Sequence, residues 1–208
     1  MEVELFSDEA KEKNIICGTD EAGRGPLAGP VVVASVILSD DFPFDCLNDS
    51  KKLTEKEREK AERIIKEKAV CYSVKAISHT VIDEINILNA SLMGMKETAL
   101  AVYSSRPFDI LLCDGNKIPD VPFPVEAVVK GDALVHEIMA ASILAKCERD
   151  RIMVQAAAKW PQYGFEKHKG YPTKEHYEAI GKYGPCPIHR LSFKLYRDEV
   201  NPTQPTLF

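Results

Sequence analysis

The sequence predicts a mixed α/β fold, with one central sheet that includes an antiparallel hairpin and is flanked by helices. Three observations predict it. Two Val- and Ile-rich runs, residues 14–22 and 30–38, are separated only by a turn rich in Gly and Pro. Strand-like and helix-like patterns then alternate in the order β-β-α-β-α-β-β-α. The chain has 208 residues, 45% hydrophobic and 28% charged, which suits one soluble domain with a sizeable core.

The elements follow in order. Residues 39–53 read as a loop holding Pro43, Asn48, Asp49 and Ser50. Thr54 and Glu57 have the spacing of a capping box, so a helix is predicted from there to about Lys68. Ala69 to Ser78 is a third strand. From Thr80 to Tyr103, Ile82, Ile85, Leu88, Leu92, Met95 and Leu100 recur at helical spacing. Asp109 to Asp114 is a short buried strand ending in an acid, and Pro124 to Lys130 is another. Ala133 to about Lys159 is a long helix for which Asp132 is a natural N-cap. A loop, a short helix from Thr173 to Tyr183 and a Pro-rich exit complete the chain. The expected organisation is one catalytic domain over residues 1–200, with a helical C-terminal portion at about 160–197 and a tail of 201–208.

Bulk properties exclude several classes. The acidic N-terminus has no apolar segment and is no signal peptide. No apolar run approaches the roughly 20 residues that span a bilayer. A cytoplasmic protein with no membrane partner is expected. Cys17, Cys46, Cys71, Cys113, Cys147 and Cys186 form no C-x-x-C pair, so free thiols are expected and a zinc ribbon is not. The formal net charge of −5 argues against a protein that coats nucleic acid. From Lys159 to Arg197, however, eight Lys/Arg face three acids, interleaved with Trp160, Tyr163, Phe165, Tyr171 and Tyr177. That mixture suits a nucleic-acid surface.

Asp20, Glu21, Asp114 and Asp132 all fall at predicted strand or helix ends, where sheets gather functional groups. Together they would repel one another and need a cation. An all-oxygen set suits Mg²⁺ or Mn²⁺. Two such ions about 4 Å apart activate water and stabilise the leaving oxygen of a phosphodiester. Alternation along a strand turns Glu21 away from Asp20, so Glu21 acts either through its side chain or through its carbonyl. Asp114 before Gly115 also reads as a turn former. Gly23-Arg24-Gly25 is either a plain turn or a backbone segment that approaches a ligand closely. Arg24, Lys51 and Lys52 are candidates for gripping phosphates. Tyr171, between Gly170 and Pro172, is expected to be exposed. His168, His176 and His189 either touch phosphate or, as each alone reads, are structural, and no histidine or lysine stands out as a general base.

These residues lie in ordered motifs. They are Gly18-Thr-Asp20-Glu21-Ala-Gly-Arg-Gly-Pro-Leu-Ala-Gly-Pro30; Asp49-Ser-Lys51-Lys52-Leu-Thr54; Cys113-Asp114-Gly115; and Lys130-Gly-Asp132-Ala133. Further on come Ala140-Ala-Ser142-Ile-Leu-Ala-Lys146, Arg149-Asp-Arg151, His168-Lys-Gly-Tyr171-Pro-Thr173 with His176, and Pro187-Ile-His189-Arg190-Leu-Ser192-Phe193. Over residues 14–197 the chain resembles the type 2 ribonuclease H family, ribonuclease HII. The resemblance implies a ribonuclease H-like fold with a helical C-terminal portion. It implies cutting of RNA in RNA–DNA hybrids and at ribonucleotides embedded in duplex DNA, leaving 3′-hydroxyl and 5′-phosphate ends. It assigns Asp20, Glu21, Asp114 and Asp132 to two metal ions, Mn²⁺ or Mg²⁺, with Asp20 as bridge. It assigns Gly23-Arg24-Gly25 to reading the 2′-hydroxyl, and Tyr171 to packing on the neighbouring deoxyribose.

Three alternatives weigh against that reading. The sister type, ribonuclease HIII, carries an extra N-terminal domain, whereas about a dozen residues precede the first strand here. A hybrid-binding protein without catalysis conflicts with the intact acid set. A metal phosphatase for small substrates would have no preference for a duplex. The terminal Gln204-Pro205-Thr206-Leu207-Phe208 resembles the short peptide by which bacterial proteins dock on the replication sliding clamp. Monomer is the default oligomeric state.

Overall fold

The computed structural model describes residues 14–47 and 53–196. Five strands form one sheet in the order β3-β2-β1-β4-β5: β1 Ile16–Ala22, β2 Val31–Ile37, β3 Cys71–Ile77, β4 Ile110–Asp114 and β5 Val125–Val128. β1, β2 and β3 pair antiparallel, whereas β4 is parallel to β1 and β5 to β4. The predicted hairpin and the mixed sheet are both present. Among the described residues no helix is long and apolar enough to cross a membrane. The six cysteines are free thiols.

Helices cover both faces. α1 (Glu55–Lys68) and α3 (His136–Lys159) pack on one side, and α2 (His79–Ser105) on the other. β2 is buried along its whole length because both faces are covered. Val32, Ala34 and Val36 join Ile65, Ile143 and Leu144 on the α1/α3 side, while Val33 and Ile37 join Met95, Ala99 and Val102 on the α2 side. Each such valine or isoleucine contributes about 1.5–3 kcal/mol by leaving water. The short helices α4 (Phe165–His168) and α5 (Lys174–Tyr183) build a second cluster around Phe165 and Ile180 against the far end of α3.

The caps explain several boundaries. Thr54 and Glu57 form the predicted capping box at α1. Thr173 caps α5 by accepting from the His176 amide at 3.2 Å. Two expectations are corrected. α2 is not one uninterrupted helix, because Asn86 has φ 66° and its side chain accepts from the Asn89 amide at 3.1 Å. Asparagine tolerates that conformation and starts a fresh helical turn there. The long helix does not begin at Asp132. Gly131–Ala133 is a separate 3-10 turn entered through Lys130 at φ 60°, and α3 starts after Val135 without a side-chain cap. α4 lies within a stretch expected to be a loop.

α3 crosses the sheet at close range over Gly18. A β-carbon on Gly18 would lie 2.6 Å from Cβ of Glu137 and nearer still to the helix backbone. Gly18→Ala therefore forces α3 outward. Overpacking of this kind costs about 1–3 kcal/mol, and a clash with backbone sits at the upper end. Urea unfolding should show a lower midpoint with an unchanged slope. An unshifted midpoint would mean that α3 does not rest on this strand as described.

Candidate active site

The site is assembled by strand register. β1 and β4 run parallel, and their last paired residues are Thr19 and Cys113. One residue further, Asp20 and Asp114 come side by side at the ends of neighbouring strands. β5 leads through Val128 to the Gly131–Ala133 turn, which brings Asp132 to the same corner. One carboxylate oxygen from each of Asp20, Asp114 and Asp132 lies within 4.8 Å of the others. The Asp132 amide donates to Oδ1 of Asp114 at 3.3 Å. Asp132 thus serves the cluster and not the N-terminus of α3.

Electrostatics make this corner costly. Asp20 is 5% exposed. Burial first, then the charges of Glu21 and Asp114, push its carboxyl well above the ordinary carboxylate range. Hydrogen bonds from the Ser142 hydroxyl and the Glu21 amide, the latter 2.7 Å long, oppose the shift without cancelling it. Three oxygen donors of like charge, two of them buried, fit a hard divalent cation such as Mg²⁺ or Mn²⁺.

Glu21 obeys strand alternation. Gly18 and Asp20 face α3, whereas Cys17 and Thr19 face α2. Glu21 follows the second set and stands outside the group of three. Its Oε1 lies 3.3 Å from Nη1 of Arg24. Burial raises its pKa, the Arg24 charge and hydrogen bond lower it, and Asp114 raises it again, with a net upward shift. It still borders the cleft that holds Asp20 and Asp114, an open space of about 260 Å³.

The other walls of this cleft come from the glycine-rich turn, α3 and the segment before α5. Gly23, Arg24, Gly25, Ser142, Lys146 and Tyr171 all line it. Gly23 has φ +103°, and a β-carbon there would overlap Nε of Arg149 and stand 2.9 Å from the Pro30 carbonyl. Only glycine fits. Gly25 is exposed, with open space beyond Tyr171, whose ring a β-carbon would meet at 3.7 Å. Tyr171 is 40% exposed, as its place between Gly170 and Pro172 predicts. Lys51 and Lys52 lie outside the described residues.

Two buried arginines hold the turn. Arg190, 0% exposed, donates to the carbonyls of Gly23 (2.7 Å), Arg24 (3.0 Å), Gly29 (2.9 Å) and Pro30 (3.0 Å). Arg149, also 0% exposed, donates to Pro30 (3.1 Å), Ala28 (3.2 Å) and Lys169 (3.0 Å), and its guanidinium lies 5.6 Å from the Tyr171 ring centre. Burial depresses both pKa values, that of Arg190 to about 9, which leaves Arg190 cationic at neutral pH. Reading the residues singly gave these arginines, Ser142 and Lys146 no role. The available signal was helical spacing, since 142, 146 and 149 share one face of α3. The histidines proved structural: His176 and His189 are buried, and His168 stacks on His176 at 4.5 Å.

The raised pKa of Asp20 has a consequence for stability. A carboxyl that binds protons more tightly in the folded than in the unfolded chain favours folding when protonated. That contribution is present below the ordinary carboxylate range and is lost as pH rises toward the shifted value. In chelator at about pH 8, Asp20→Asn should therefore melt at a higher temperature than the parent. The gain should shrink as pH falls from the shifted value toward the ordinary carboxylate range, and level off below about 4, where the unfolded carboxyl is protonated too. A variant less stable than the parent at pH 8 would contradict the assigned cost.

Comparisons with known proteins identify the fold and the family. The family model described as Ribonuclease HII matches residues 17–196. Ribonuclease HII of Caldicellulosiruptor bescii is 54% identical over 179 residues, covering 86% of this chain and 85% of its own. In the solved PCNA:RNase HII complex from Archaeoglobus fulgidus, the matching chain superposes with a TM-score of 0.70 at 26% identity, over 89% of this chain and 98% of that one. Bst-RNase HIII, solved in complex with Mn²⁺, shares the fold with a TM-score of 0.72 at 15% identity, over 88% of this chain and 68% of that one. The fold is thus the ribonuclease H-like one, and the chain belongs to the ribonuclease HII family of ribonuclease H endonucleases.

Proposed function

We propose that this enzyme works in the cytoplasm as a single catalytic unit that hydrolyses the RNA strand of RNA–DNA hybrids and cuts 5′ of ribonucleotides embedded in duplex DNA. The observation that carries the reading is that Asp20 and Asp114, which gather with Asp132, line the same cleft as the Gly23-Arg24-Gly25 backbone and the Tyr171 ring. Asp20, Asp114 and Asp132 would hold divalent ions, Mn²⁺ or Mg²⁺, with Asp20, the most deeply buried of the three, as the shared ligand. Glu21 contributes its side chain, after leaving Arg24, or its carbonyl. Such a pair, when bound, supplies activation of water and stabilisation of the leaving oxygen. The water oxygen forms a new bond to phosphorus and the P–O3′ bond breaks, leaving 3′-hydroxyl and 5′-phosphate ends.

Selectivity rests on the main chain. The 2′-hydroxyl both donates and accepts, and it alone separates RNA from DNA at a given site. The amides and carbonyls around Gly23 and Gly25 offer both partners, and Arg190 keeps the carbonyls of Gly23 and Arg24 in one orientation. Tyr171 packs against the neighbouring deoxyribose. Arg24, Lys146, Lys51 and Lys52 meet phosphates. A fold-sharing phosphatase for small substrates would have no use for this wall of glycine backbone and exposed tyrosine.

A duplex with one embedded ribonucleotide should be cut once, on the ribonucleotide's 5′ side, only when divalent metal is supplied. Asp114→Asn should slow this by roughly 10²-fold or more, as expected for loss of a ligand worth several kcal/mol. Cutting of the all-DNA duplex, or full activity in Asp114→Asn, would overturn the reading.

The terminal Gln204–Phe208 segment lies outside the described residues. We propose that it docks on the replication sliding clamp, a reading supported by the complex of the Archaeoglobus fulgidus relative with PCNA. Deleting residues 204–208 should abolish calorimetric binding to a bacterial clamp while leaving cleavage of a short duplex unchanged. Undiminished clamp binding would reject it.

A further inference from the structure

Tyr171 presents its ring to solvent, yet the main chain around it is held at every polar group. The Tyr171 amide donates to the His168 carbonyl at 2.8 Å. The Gly170 carbonyl accepts from the Leu27 amide at 2.8 Å, and the Gly170 amide donates to Nδ1 of His168 at 3.2 Å. The Tyr171 carbonyl faces Nδ1 of His176 at 3.0 Å. Nε2 of His176 lies 3.1 Å from Nε2 of His189. These two rings are 0% and 1% exposed.

The chemistry fixes where the protons sit. A carbonyl only accepts, so His176 carries its proton on Nδ1, and its Nε2 is a lone pair. The His189 Nε2 opposite must then donate. The other end agrees, because Nδ1 of His189 receives the Cys186 amide at 2.8 Å and so is itself a lone pair. The opposite tautomer of His189 would aim a proton at the Cys186 carbonyl, 3.2 Å away, and set two lone pairs against each other across the 3.1 Å gap. Burial favours neutral rings, with His176 pushed down to about 4. The bonds therefore run one way: Cys186 amide to His189, His189 to His176, His176 to the Tyr171 carbonyl.

We propose that His176 and His189 are positioning residues, whose one-way hydrogen-bond relay sets the main chain of Tyr171 and thereby the angle at which its ring meets the sugar. The inference rests on the reading of Tyr171 as the sugar-packing residue. Neither histidine touches the acids or the substrate. Their effect is on binding of the duplex and not on the chemical step.

The test has a spectroscopic and a kinetic arm. Side-chain ¹⁵N shifts of the wild-type protein at neutral pH should report protons on Nδ1 of His176 and Nε2 of His189. Protons on Nε2 of His176 would overturn the relay whatever the variants do. In kinetics with the single-ribonucleotide duplex, His176→Phe should raise KM roughly tenfold, as for one lost hydrogen bond, with little change in kcat. His176→Asn, whose amide places a donor near the Nδ1 position, should recover most of the loss. In a Tyr171→Ala background, His176→Phe should add nothing further. A raised KM for Tyr171→Ala with fully additive effects would overturn the relay alone. An unchanged KM for Tyr171→Ala would overturn the sugar-packing reading and the relay with it.

Discussion

The candidate active site depends on one constraint: three carboxylates share a corner less than 5 Å across, and two of them are buried. Left to themselves, Asp20, Asp114 and Asp132 repel, and burial magnifies the repulsion by removing water. Asp20 responds by holding its proton more tightly. Nothing in a relaxed fold would gather such groups. They stay together because each is fixed by an element with its own reason to exist. Two parallel strands deliver Asp20 and Asp114 in register, and a turn after the third strand delivers Asp132. The arrangement is stored in packing, and a divalent cation repays it.

The cations the protein does supply are directed elsewhere. Arg149 and Arg190 are as buried as any side chain in the molecule, yet their guanidinium groups bind main-chain carbonyls and not the acid triad. They spread the carbonyls of residues 23–30 into a rigid arc. Gly23 permits this by leaving room where any side chain would strike Arg149. Arg24, exposed at the lip, pairs with Glu21, the acid outside the triad. The carboxylates of the triad are thus left unneutralised by these two arginines while the glycine-rich backbone is held still. The C-terminal helices serve the same end, since α4 and α5 carry the histidines that bracket Tyr171.

Much of this was legible in the residues. The hairpin, the mixed sheet and the capping box at Thr54 follow from local pattern, and the four acids stand out at strand ends. The turn of Glu21 away from Asp20 follows from strand alternation alone. What escaped was tertiary in origin. Asp132 is legible as one of the acids, but it also reads locally as a helix cap, and the separate turn through Lys130 that carries it instead is not legible. The break at Asn86 hides in a run whose apolar spacing continues across it. Arg149 and Arg190 look like surface charges, because nothing near them in sequence says that their partners are carbonyls more than a hundred residues away. The histidine pair is likewise invisible until α5 brings two positions thirteen residues apart into contact.

Burial and the neighbouring acids make Asp20 hold its proton more tightly, and a divalent cation bound by the triad would relieve that repulsion. Calorimetric titration of Mn²⁺ at about pH 6, in buffers of differing ionisation enthalpy, tests this most directly. Binding should expel protons, so the observed heat should vary with the buffer, and Asp20→Asn should abolish both binding and that dependence. Mn²⁺ binding with a heat independent of buffer, or unchanged binding in Asp20→Asn, would contradict the account.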